Sequence, residues 1–240
     1  CCWWRYGTSC GGNWTQRGNQ SGHGRRRRPV LERGRGLGRA GADIQLHRHE
    51  RVDRHDLDSA APLAHGLLAQ GAKVIDVGTG AGFPGMPLLI LRPDLQITFL
   101  DALNKRILFL EDALKRLGLT AATLHARAED AAKMAAHREQ YDAAVSRAVA
   151  NAATLEELTL PFVKKGGVAI AWKGPGVADE LTAARRAAFL LGGTVRGTVD
   201  APIPRRADWA HVLLLTDKTG TTPKAYPRKA GTPGKKPLGM

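Results

Sequence analysis

Cysteine is nearly missing: Cys1, Cys2 and Cys10 are the three present, so everything beyond position 10 lacks a thiol. That excludes a disulfide framework for the body and fits a chain that folds in the reducing cytoplasm. Long apolar runs are missing too, since none approaches the roughly 18 to 20 residues of a membrane span. The opening residues are polar and aromatic with no apolar core stretch, so no secretion signal is readable. The eight histidines are scattered, without cysteine or carboxylate at ligand spacing, which argues against a metal site. What the chain does have is 240 residues of which 43% are apolar, enough for one sizeable domain plus extensions.

Charge is unevenly spread. Residues 1–54 carry 12 arginines, no lysine and 4 acids; residues 55–217 carry 18 basic and 18 acidic side chains; residues 218–240 carry 6 basic and no acidic ones. A neutral globule with basic ends suits a phosphate-rich partner, and equally a solubilising tail. Residues 1–41, with Arg25–Arg28, ten glycines and three tryptophans, show neither helical nor strand period. The chain therefore divides into an extension over 1–53 that is disordered or mistranslated, a domain over 54–217, and a flexible basic tail over 218–240.

From Arg54 onward, strand and helix patterns alternate. Apolar strands are predicted at Lys73–Val77, Gln96–Asp101, Ala122–His125, Tyr141–Ser146, Gly167–Trp172, Thr194–Val199 and Trp209–Leu215. Helices are predicted around Ile107–Leu117 and at Glu129–Ala136, Asn151–Phe162 and Val177–Leu191. Such alternation gives right-handed crossovers and a mainly parallel seven-stranded sheet, an α/β Rossmann-like fold. The last two strands, joined without a helix, form an antiparallel hairpin.

The sharpest local signal is Asp76-Val-Gly-Thr-Gly-Ala-Gly-Phe-Pro-Gly85. Glycines after a first strand let the backbone approach a ligand closely. Gly80, Gly82 and Gly85 also satisfy the dinucleotide fingerprint, so the glycines alone decide nothing. Asp76, at the strand end, is expected to repel a pyrophosphate and to suit a ligand with an ammonium and a sulfonium. Pro84 and Pro87 remove N–H donors that a pyrophosphate would use at the next helix. Asp101, ending the second strand, is placed to accept both hydroxyls of an adenosine ribose.

These residues resemble a class I S-adenosylmethionine-dependent methyltransferase, and more closely the RsmG (GidB) family. The resemblance runs through Asp76–Pro87, Leu100–Arg106 with Phe109-Leu110, Arg127–Asp130, Tyr141-Asp142 with Ser146–Ala148, and Lys173-Gly174. It also covers Arg54–Ser59 and the tail Pro227–Leu238. It implies methylation of guanine N7 in the 530 loop of 16S ribosomal RNA, with the small ribosomal subunit as partner and S-adenosylmethionine as cofactor. Carried over, the cofactor contacts fall on Gly78, Phe83, Ala128, Glu129 and Arg147, joining Asp76, Gly80 and Asp101. Arg127 and Lys173 are expected to position RNA, and His55, Asp58 and Ser59 to form a structural cluster. The family's usual segment before Arg54 is replaced by Ile44–His49, whose codons read one base later can spell Tyr-Asn-Phe-Thr-Ala-Met; residues 1 to about 52 are thus expected to be a wrong-frame translation. Two other readings remain open: a nicotinamide-dependent oxidoreductase on a related sheet, and a ribosome-associated RNA-binding protein without catalysis.

Overall fold

A computed structural model describes residues 56–147, 150–201 and 211–240. The expected extension over 1–53, and His55, lie outside the described residues.

A short helix α1 (Ala61–Ala64) precedes β1 (Lys73–Val77), α2 (Gly85–Leu91), β2 (Gln96–Asp101), α3 (Asn104–Leu117), β3 (Ala122–His125) and α4 (Ala128–Ala131). Then follow β4 (Tyr141–Arg147), α5 (Ala152–Thr159) with a 3-10 turn at Leu160–Phe162, β5 (Val163–Lys173), α6 (Val177–Leu190), β6 (Gly193–Asp200), β7 (Val212–Lys218) and α7 (Thr232–Lys235). The seven strands form one sheet in the order β3-β2-β1-β4-β5-β7-β6. β1 to β5 run parallel, and β7 lies antiparallel between β5 and β6. The expected α/β sheet with its antiparallel end is what the chain forms.

The central strands are apolar runs because both of their faces are covered. Side chains alternate across the sheet: Val74 joins Leu88, Phe99, Leu110 and Ile170 on one face, while Ile75 and Val77 join Leu100, Leu160, Phe162 and Ala188 on the other. At the sheet's edge, β6 alternates half-buried and exposed positions after the buried Gly193, as a strand with one wet face should. Gly118 closes α3 in the left-handed region (φ 65°), and the Asn151 side chain caps α5 by accepting the Thr154 N–H at 2.9 Å.

Three expectations need correction. The helix predicted over Glu129–Ala136 ends at Ala131, because Ala131 and Ala132 pack into the core and hydrogen bonding then shifts to i→i−3 contacts at Lys133 and Met134. The helix predicted over Asn151–Phe162 gives way at Leu160 to a 3-10 turn containing Pro161, which has no N–H to continue the ladder. The tail, expected to be flexible, is tied to the domain. Arg138 donates to the carbonyls of Thr222 (2.8 Å), Pro223 (3.2 Å) and Tyr226 (2.9 Å). Arg228 grips the fully buried carboxylate of Glu157, and the Thr154 hydroxyl donates to the Pro233 carbonyl at 3.1 Å. The last strand is described from Val212, and the first two residues predicted for it, Trp209 and Ala210, lie outside the described residues.

Candidate functional site

In an open parallel sheet, ligands settle beyond the carboxyl ends of the strands where the strand order reverses. Here that point lies between β1 and β4, and a cavity of about 520 Å³ opens there. β1 and its loop contribute Val77, Gly78, Thr79, Gly80 and Phe83; the end of β2 contributes Leu100, Asp101 and Ala102. Arg106 from α3, Ala126 to Glu129 around the start of α4, Arg147 from β4 and Leu158 from α5 complete the wall.

The loop's shape comes from its glycines. Gly78, Gly80 and Gly82 have φ of 74°, 62° and 101°, a region that costs side-chain-bearing residues strain. Gly85 is needed for a different reason: a Cβ there would sit 2.6 Å from the Phe99 ring and 2.8 Å from the Asp76 carboxylate.

Asp76 is not where the sequence predicts. Its carboxylate is buried beneath the loop and does not line the cavity. Oδ2 accepts the Thr79 hydroxyl at 2.7 Å and the Gly85 N–H at 2.9 Å. Burial pushes its pKa up to about 7, against the opposing pull of those two hydrogen bonds. The residue staples the glycine loop to the strand, and the expectation that its charge faces the donor is corrected accordingly.

At the start of α2 the Gly85 N–H goes to Asp76, the Met86 N–H goes to the Gly82 carbonyl at 2.6 Å, and Pro84 and Pro87 have none. A pyrophosphate would find no donor there, which removes the feature that dinucleotide sites depend on.

Asp101 lies on the cavity wall as expected. Its Oδ2 accepts the Gly80 N–H and the Arg106 guanidinium, each at 3.0 Å, and Oδ1 accepts the Leu103 N–H at 2.8 Å. A ribose diol approaching Asp101 would take over the place of half-exposed Arg106. Arg106 is a site residue that sequence reasoning missed, although its position just past Asp101 in the first turn of α3 was the available signal. Glu129 is buried on the wall next to Ala128, with Oε1 accepting the Gly231 N–H at 2.7 Å.

Arg147 and Phe83 come together at the mouth, with the guanidinium 6.0 Å from the ring centroid. Arg147 Nη1 also donates to Ser59 Oγ at 3.2 Å and pairs with Asp58 at 3.5 Å. The Trp172 indole N–H donates to the Asp58 carbonyl at 2.9 Å, so Asp58 and Ser59 fasten the segment before α1 to the sheet. Arg127 is exposed on the cavity rim. Lys173 is not: its ammonium is held at 2.7 Å by Glu180 and at 3.2 Å by the Ala150 carbonyl, away from the cavity wall. Its expected contact with RNA is therefore corrected to an internal tie between β5 and α6.

The family model described as rRNA small subunit methyltransferase G matches residues 43–205. The chain belongs to that family. The match begins ahead of Arg54, where the sequence predicts the domain to start. Curated relatives include the ribosomal RNA small subunit methyltransferase G of Clostridium novyi, 46% identical over 190 residues and covering 79% of this chain and 78% of its own. The protein of that name from Alkaliphilus metalliredigens is 46% identical over 186 residues, covering 77% of each chain. Among solved structures, geranyl diphosphate C-methyltransferase from Streptomyces coelicolor A3(2), in complex with S-adenosyl-L-homocysteine, superposes with a TM-score of 0.55 at 14% identity, covering 78% of this chain and 86% of that one. The TehB-like S-adenosylmethionine-dependent methyltransferase of Corynebacterium glutamicum gives 0.50 at 16% identity, over 77% and 100%.

The cavity has the lining that S-adenosylmethionine, the donor implied by the sequence resemblance, would need. Phe83, Leu100, Ala126, Ala128 and Leu158 would give apolar walls for an adenine and a thioether, the glycines allow close backbone approach, and Asp101 on the same wall offers a carboxylate that a ribose diol could donate to. When bound, the cofactor supplies an electrophilic methyl group on a sulfonium.

Proposed function

We propose that this protein methylates N7 of a guanine in the 530 loop of 16S ribosomal RNA, within the cytoplasm, using S-adenosylmethionine. The observation that carries the reading is the 46% identity to relatives of that rRNA-methylating name across 79% of the chain. The chemistry of the cavity supports the N7 assignment. Guanine N7 carries no proton at neutral pH and needs no general base. The ionisable groups on the wall are two carboxylates already accepting backbone N–H bonds and three guanidiniums, which offer hydrogen-bond donors and no acceptor.

Catalysis then consists of orientation. Asp101, Glu129, Arg147 and the glycine loop hold the donor, while Arg127 on the rim acts on the base or its phosphates. Holding two reactants in line supplies on the order of 7–11 kcal/mol of a barrier. An arginine bidentate to O6 and N7 would block the reacting lone pair, so a productive arginine contact is confined to O6 or phosphate.

The test is transfer of labelled methyl from S-adenosylmethionine to small-subunit particles and to the naked RNA, alongside calorimetric titration with S-adenosylmethionine and NAD. The proposal expects labelling and donor-only affinity. Tight NAD affinity would restore the oxidoreductase reading, and RNA affinity without labelling would restore the non-catalytic one.

A further inference from the structure

We propose that the C-terminal segment, residues 219–240, is a folded phosphate-docking platform for RNA in which Lys229, Lys235 and Lys236 are the contacts. The inference rests on the rRNA reading above and adds the surface that engages the strand.

Two of the basic side chains of residues 218–240 face inward. Lys218 is fully buried, pairing with Glu139 at 3.1 Å and donating to the Leu160 carbonyl at 2.9 Å. Arg228 spans both oxygens of Glu157 and donates to the Lys236 carbonyl at 2.7 Å. The remaining four, Lys224, Lys229, Lys235 and Lys236, are exposed, and residues 218–240 contain no acid to offset them. The backbone is thus fixed by buried anchors while the lysines point to solvent, which lowers the ordering cost that a loose tail would meet on binding.

Location decides what the platform serves. The Gly231 N–H bonded to Glu129 places the segment against the wall of the cofactor cavity, next to exposed Arg127. Lys229 stands two residues before that anchor, and α7 begins immediately after it. Residues 55–217 have equal numbers of acidic and basic side chains, so among the described residues this acid-free segment adds a net positive charge to the arginines already on the cavity wall. Exposed lysines on a segment anchored to the cavity wall suit the phosphates flanking a target base.

The experiment compares the wild type with Lys229→Ala/Lys235→Ala/Lys236→Ala for binding a small-subunit RNA fragment between 50 and 200 mM KCl. Three lost phosphate contacts should make the slope of log K against log salt shallower by about 2, at roughly 0.7 per contact on single-stranded RNA. Donor affinity should stay within twofold, and Lys229→Arg/Lys235→Arg/Lys236→Arg should keep the wild-type slope. A second variant, Arg228→Met/Glu157→Gln, unlocks the segment while keeping every lysine and burying no lone charge; it should weaken RNA binding comparably. A wild-type slope in the triple alanine variant overturns the platform. So does wild-type RNA affinity in the unlocked variant, which would mean a loose polycation. Failure of the wild type itself to methylate small-subunit RNA would instead overturn the rRNA reading, and the platform with it.

Discussion

Replacing Asp76 with asparagine separates two roles for the carboxylate at the head of the glycine loop. In the native protein it is buried, accepts two hydrogen bonds through Oδ2, and titrates near 7 because burial disfavours its charge. The unfolded chain releases that proton near 3.8. Between those values the folded state binds the extra proton, so its contribution to stability is complete below about pH 4 and is lost as pH rises through 7. A displacement from 3.8 to about 7 corresponds to a loss on the order of 4 kcal/mol, of which roughly 3 kcal/mol falls between pH 5 and 8. Glu156, also buried and pushed up to about 8, adds a similar decline to both proteins and cancels in the comparison. Asparagine keeps an acceptor for Thr79 and Gly85 but cannot ionise. Urea denaturation at pH 5, 6, 7 and 8 should therefore show the variant gaining on the wild type by that amount as pH rises. Parallel curves would refute the argument. Calorimetry on the same variant should show S-adenosylmethionine affinity within tenfold of wild type; a hundredfold loss would mean that the carboxylate meets the donor directly.

Gly85→Ala must move the Phe99 ring or the Asp76 carboxylate, since the new methyl would sit under 3 Å from both. A cost of about 1–3 kcal/mol is expected from overpacking, read as a lower thermal midpoint together with weaker donor binding; an unchanged midpoint would show that the loop relaxes freely. Arg228→Ala leaves Glu157 buried without its cation, a loss of about 3–5 kcal/mol by denaturation; a loss below 1 kcal/mol would mean that the pair adds nothing to the fold. Lys173→Ala should lower stability by about 1 kcal/mol through the lost ties to Glu180 and the Ala150 carbonyl, Glu180 keeping the Ala152 N–H, while leaving the salt dependence of RNA binding unchanged. A shallower salt slope in that variant would return Lys173 to the RNA surface.

The sheet was legible because β1, β4 and β5 are buried on both faces and read as apolar runs, and because glycines follow the first strand directly. Asp101, Phe83, Gly78, Gly80, Ala128, Glu129, Arg127 and Arg147 reach one cavity since each follows or ends a parallel strand, and those ends share an edge. The orientation of Asp76 was hidden. Strand alternation says which face a residue takes, but not that the loop folds back over it and consumes both the carboxylate and the helix donors. Lys173 ends β5 on the same edge, yet its fate depends on Glu180, one helix later. The order of the tail was invisible for a related reason. Its anchors, Glu157 and Glu129, lie 71 and 102 residues away from Arg228 and Gly231, so a segment of proline, glycine and lysine carries no local sign of them.

The most direct measurement of the central claim is to incubate the protein with labelled S-adenosylmethionine and undermethylated small-subunit RNA, then map the labelled nucleotide. One labelled site, N7-methylguanosine in the 530 loop, is the expected result. Label on another base or atom, or none while the donor demonstrably binds, would contradict it.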